Sequence, residues 1–83
     1  LYAPFDLACA NDGGGVRLAW RNAEPYDGIV VTRNGVQRAA IPGDTTEFLD
    51  ERLAPGEYAY TVRGFRGALA AANQRGTKRV SGW

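Results

Sequence analysis

Leu53-Ala54-Pro55-Gly56-Glu57-Tyr58-Ala59-Tyr60-Thr61-Val62-Arg63 is the stretch that decides the fold. Tyr58, Tyr60 and Val62 alternate with Ala59, Thr61 and Arg63, a period of two, which places the rings on one face of a half-buried antiparallel strand. A helix needs apolar residues three and four apart, and this stretch has none in that phase. Pro55-Gly56 ahead of the strand predicts a type II turn, Pro fixing one φ and Gly supplying the positive φ after it.

The same rhythm runs outward in both directions. Phe5, Leu7 and Cys9 share one face with Asp6 and Ala8 on the other, and Val16, Leu18 and Trp20 alternate with Arg17 and Ala19. Ile29 and Val31 are placed inside, with Val30 between them. The expected core is therefore Trp20, Ile29, Val31, Tyr58, Tyr60 and Val62. Turn residues interrupt the chain roughly every 8 to 12 residues, as in an all-β sandwich. Asn34-Gly35, set between Val31-Thr32-Arg33 and Val36-Gln37-Arg38, predicts a hairpin, because both residues tolerate the positive φ of a type I′ turn. Gly13-Gly14-Gly15 reads as a flexible hairpin and not a phosphate loop, since no Lys-Ser/Thr and no helix follow. Ala68 to Gln74 has one large apolar residue, Leu69, and reads as a loop or poorly specified edge strand. A last strand is expected at about Thr77 to Val80.

Composition narrows the functions. The chain has 83 residues, no His, one Cys and one Ser, and a net charge of +1. Zinc-finger and haem ligand sets and Ser-His or Cys-His catalytic pairs are excluded. The charge balance gives no nucleic-acid footprint, and no stretch reaches the roughly 18 apolar residues of a membrane span. The length suits one domain, residues 1–83. No Met is present, so the chain is expected to be processed or cut from a longer one.

Trp20, the Arg33-Asn34-Gly35 turn and Leu53 to Val62 together resemble a fibronectin type III module, over about Pro4 to Val80. The likeness is to the short modules of bacterial secreted multidomain proteins. It implies two facing antiparallel sheets of about seven strands in Greek-key order, an immunoglobulin-like sandwich with Trp20 in the core. It also implies a tyrosine corner at Tyr58 or Tyr60, with Tyr58 favoured by its closeness to the turn. Some such modules carry a second Cys in the last strand, but Thr77-Lys78-Arg79-Val80 holds none.

The resemblance implies a secreted or cell-surface location and a non-catalytic role as spacer, connector or fibre building block, with neighbouring domains or identical subunits as partners. In the fibre variant, Leu1 to Phe5 or Gly76 to Trp83 pairs with an edge of the next copy. Tyr2, Tyr26, Phe65 and Trp83 fall outside the alternating core and are expected to form contacts with a neighbour. The alternative is a carbohydrate-binding module in which these rings stack on a polysaccharide.

Other candidate sites read as structural. Cys9 is expected inside, as an inert small hydrophobe. Asp44, Glu47, Asp50, Glu51 and Glu57 sit at turns and strand ends and read as solvated, Asp44 and Asp50 bonding nearby backbone. Asp12, Asp27 and Asp44 lack calcium-ligand spacing. No cofactor is expected. The arginines, with Arg17 and Arg63 directed outward, read as an ordinary charged sheet face.

Overall fold

A computed structural model describes residues 1–81. The strands are β1 (Phe5–Asp12), β2 (Gly15–Arg21), β3 (Gly28–Arg33), β4 (Val36–Pro42), β5 (Glu47–Asp50), β6 (Gly56–Arg66), β7 (Leu69–Ala70) and β8 (Gln74–Val80). All pairings are antiparallel. One sheet has the order β1-β2-β5. In the other, β4-β3-β6 continues to β8 along Gly56–Val62 and to the two-residue β7 at Phe65–Arg66. Seven longer strands and one short one thus form the expected sandwich.

Alternation places the core between the sheets. Val16, Leu18 and Trp20 of β2 meet Ile29 and Val31 of β3 and Tyr60 and Val62 of β6, all buried. Each fully buried large apolar side chain contributes about 1.5–3 kcal/mol. Tyr58 is half-buried and packs against this cluster. Its hydroxyl donates to the Ala54 carbonyl at 2.5 Å, a tyrosine corner at the position favoured from sequence.

Two hairpins use two-residue loops with positive φ at both positions: Asn34 (51°) and Gly35 (81°), and Gly13 (56°) and Gly14 (87°). Those angles are the type I′ pattern, whose twist matches the flanking strands. The Pro55-Gly56 turn differs from expectation. Gly56 already pairs with Val80 as the first residue of β6, at φ 155°, and the left-handed residue of this connection is Arg52 (φ 59°).

Two other expectations are corrected. Phe5 is exposed and out of phase with Leu7 and Cys9. The cause is a bulge: β1 pairs Phe5 with Arg21 but Ala8 with Ala19, and Asp6 takes a positive φ of 55° between them. One extra residue reverses the phase of everything before it. The last strand starts at Gln74, three residues early; Ala68–Gln74 otherwise follows expectation, with the pair Leu69–Ala70 forming β7, a short edge strand. Gly76–Val80 pairs with β6 along one side of β8.

Candidate functional site

The most highly organised polar group is the one misread as solvated. Asp50 ends β5 opposite Val16, on the inward phase it shares with Phe48, and is 1% exposed. Tyr60 Oη donates to its Oδ2 at 2.8 Å. Arg33 Nη1 donates to both oxygens at 3.1 and 2.9 Å, and Arg38 reaches Oδ1 through Nε and Nη2 at 3.2 and 3.1 Å. The Arg33 guanidinium also lies 5.6 Å from the Tyr58 ring centroid, within cation–π range.

This arrangement fixes the chemistry of the carboxylate. Burial pushes Asp50 up, but the hydrogen bonds from Tyr60, Arg33 and Arg38 and the charge of Arg33 outweigh it, leaving the group below its ordinary value. Burial, then the bond to Asp50 and its charge, hold the Tyr60 hydroxyl protonated well above the usual tyrosine range. An ionised carboxylate offers about four lone-pair positions, and the donors around Asp50 occupy them. It has no proton to give and no free face for a substrate, and its role is to close one end of the sandwich.

At the opposite end the groups that meet the core are uncharged. Trp20 Nε1 donates to Asn22 Oδ1 at 3.1 Å, and Asn22 Nδ2 donates to the carbonyls of Gly43 and Thr45, each at 3.2 Å. Tyr26 covers this end. It is 8% exposed and belongs to the core cluster, which corrects its placement among the surface rings. Its ring lies over Gly64, where a Cβ would come within 2.5 Å of two ring carbons, and its hydroxyl donates to the Tyr2 carbonyl at 2.6 Å. Burial, the largest influence, raises the Tyr26 hydroxyl above its ordinary value.

The other predicted contact residues do not form a four-ring platform. Tyr2 is 76% exposed. Phe65 is half-buried on the outer face of β6, and Trp83 lies outside the described residues. Cys9 is half-buried and packs against the core cluster, and burial pushes its thiol up. Arg17 is on the outer face of the β1-β2-β5 sheet, where it pairs with Asp12 at 2.8 Å, whereas Arg63 is on the opposite outer face. Glu57 pairs with Arg79 at 2.6 Å. Asp27 accepts from the Gly67 amide at 2.6 Å. Among the described residues, no three His, Cys, Asp or Glu side chains converge on a metal position, and no helix is long and apolar enough to cross a membrane.

No family model matches the chain, nor does any curated protein. Solved structures do. The FN3 domain of human collagen XX superposes with a TM-score of 0.78 at 22% identity, over 95% of this chain and 91% of that one. A Fn3-like protein from Clostridium thermocellum gives 0.77 at 22% identity, over 90% and 88%. The spore cortex lytic enzyme SleM of Clostridium perfringens gives 0.75 at 12% identity, over 98% of this chain but 28% of that enzyme. At these identities the likeness is one of fold. With its two antiparallel sheets, its inward Trp20 and its tyrosine corner at Tyr58, the chain is a fibronectin type III-like β-sandwich.

Proposed function

We propose that the chain is a non-catalytic module that spaces or connects neighbouring parts of a secreted or cell-surface multidomain protein. The observation that carries this reading is where the chain enters and leaves the sandwich. The approach to β1 is held at the Tyr26 end, where the Tyr2 amide donates to Glu24 Oε2 at 2.7 Å. β8 ends with Val80 opposite Gly56, beside the Gly14–Gly15 hairpin at the Asp50 end. Entry and exit therefore lie at opposite ends of a body 43 × 20 × 17 Å, a geometry that strings modules in line. The SleM match adds support, because there a similar sandwich is about a quarter of a longer chain.

The test is small-angle scattering of two copies joined head to tail by a short linker. In-line spacing predicts a particle roughly twice the 43 Å length of one copy. A side-by-side particle no longer than a single copy would overturn the reading.

A further inference from the structure

Six arginines of the described residues have a carboxylate partner: Arg17, Arg21, Arg33, Arg38, Arg66 and Arg79. Arg52, Arg63 and Arg75 have none; Arg52 stands alone in the connection after β5, whereas Arg63 and Arg75 share one surface. Tyr60, Val62 and Gly64 take the inner face of β6, so Thr61, Arg63 and Phe65 stand on its outer face. Arg75 of β8 lies directly opposite Thr61, which makes Arg63 its diagonal neighbour on that face. On the other side β3 sets Val30 opposite Arg63 and Thr32 opposite Thr61. The two threonine hydroxyls bond to each other.

These side chains line a shallow depression of about 370 Å³ whose walls include no acidic residue. Like charges held side by side on a sheet repel, and here no carboxylate of the described residues relieves them. Arg63 adds a second observation: its Nε is shut off from solvent and has no hydrogen-bond partner. A donor left in that state is costly, so a shift of the Arg63 side chain that brings it to an acceptor seated in the depression is favoured. The Phe65 ring borders the same depression.

We propose that this outer face binds a carboxylate-bearing polysaccharide, Arg63 and Arg75 holding acid groups while a sugar ring lies against Phe65. The chemistry selects that partner. Guanidinium groups pair with carboxylates through parallel hydrogen bonds. An aromatic ring offers an apolar face to the C–H face of a pyranose. Nucleic acid fits less well, because two arginines on a chain of net charge +1 neutralise too few phosphates for useful affinity. The proposal is independent of the in-line reading, since an end-to-end spacer can leave this face empty.

The test is calorimetric titration of the whole chain with polygalacturonate, with neutral dextran, dextran sulfate and a single-stranded oligonucleotide in parallel. The variants are Arg63→Gln, Arg75→Gln and Phe65→Ala, with Arg79→Gln as the control because it removes a paired charge from the same face. Circular dichroism establishes that each variant is folded. The expected result is saturable binding of polygalacturonate, weakened tenfold or more by each of the first three changes and less than twofold by Arg79→Gln, with no binding of dextran. Three results would overturn the proposal: no binding of polygalacturonate, equal weakening by Arg79→Gln, or equal affinity for the oligonucleotide. Dextran sulfate binding more tightly than polygalacturonate, with no dependence on Phe65, would also overturn it, by reducing the site to a non-specific anion patch.

Discussion

The two ends of this sandwich are closed by opposite chemistries. At one end a buried carboxylate, Asp50, gathers Tyr60, Arg33 and Arg38. At the other, neutral groups do the same work: Asn22 links the Trp20 ring nitrogen to two carbonyls, and Tyr26 lies over Gly64 and caps Tyr2. Both ends satisfy polar groups next to an apolar core, which is the condition for burying them at all. The Asp50 cluster, however, ties stability to pH, and the Asn22–Trp20 network does not. A polar cluster in a core is therefore not by itself a site of chemistry. The Asp50 cluster is closed and fully bonded, whereas Arg63 and Arg75 on the outer face have unmet pairing capacity, and that contrast separates structure from recognition in this molecule.

Substitutions at the two ends sharpen the comparison. The largest loss is expected at the neutral end. Trp20→Ala removes the largest core ring along with the donor to Asn22, and should lower unfolding free energy by about 3–5 kcal/mol, enough to leave the domain largely unfolded in a denaturant titration. At the charged end, Asp50→Asn leaves two arginines without their counter-charge. Breaking a buried pair costs about 3–5 kcal/mol, and the lower figure applies because Arg33 and Arg38 side chains are 26% and 38% exposed. A loss of about 3 kcal/mol corresponds to a melting temperature lower by about 12–24 °C for a domain of this size. Asn22→Ala strands the Trp20 N–H and two carbonyls and should cost about 1–3 kcal/mol, with no dependence on pH between 4 and 8. The smallest change is Tyr58→Phe, which removes the hydroxyl bond to Ala54 but keeps the ring under Arg33. A loss of about 1 kcal/mol is expected by urea titration.

Much of the fold was legible because it rests on local rules. Val16-Leu18-Trp20 and Tyr60-Val62 point inward by simple alternation, and Asn34-Gly35 has the turn chemistry its hairpin needs. What escaped the sequence depends on contacts between distant residues. Phe5 was misplaced because a bulge at Asp6 resets the phase, and no residue preference announces a bulge there. Tyr26 follows Pro25 in a connection, outside any alternating run. A signal existed all the same: Gly64 continues the inward phase of Tyr60 and Val62 and so leaves a space that a ring can fill. Asp50 was misread because acids at strand ends are usually solvated. Here too the phase held the clue, since Ile29-Val31-Arg33 carries an arginine inward and such a charge needs an acid to meet it. The Arg63–Arg75 face could not be read, because it needs the register of β6 against β8.

The most direct test of the claim that Asp50 is structural is thermal melting of the native chain and of Asp50→Asn from pH 7 down to pH 2. The folded carboxyl titrates below its ordinary value, so the stability it contributes is complete above the unfolded value of about 3.9 and is lost as pH falls through the folded one. The native chain should melt well above the variant at pH 7, and the gap should narrow as the pH drops into that range. A variant that melts as high as the native chain at pH 7, or higher, would mean that Asp50 is held there at the expense of stability, as an acid serving a function is, and would contradict this account.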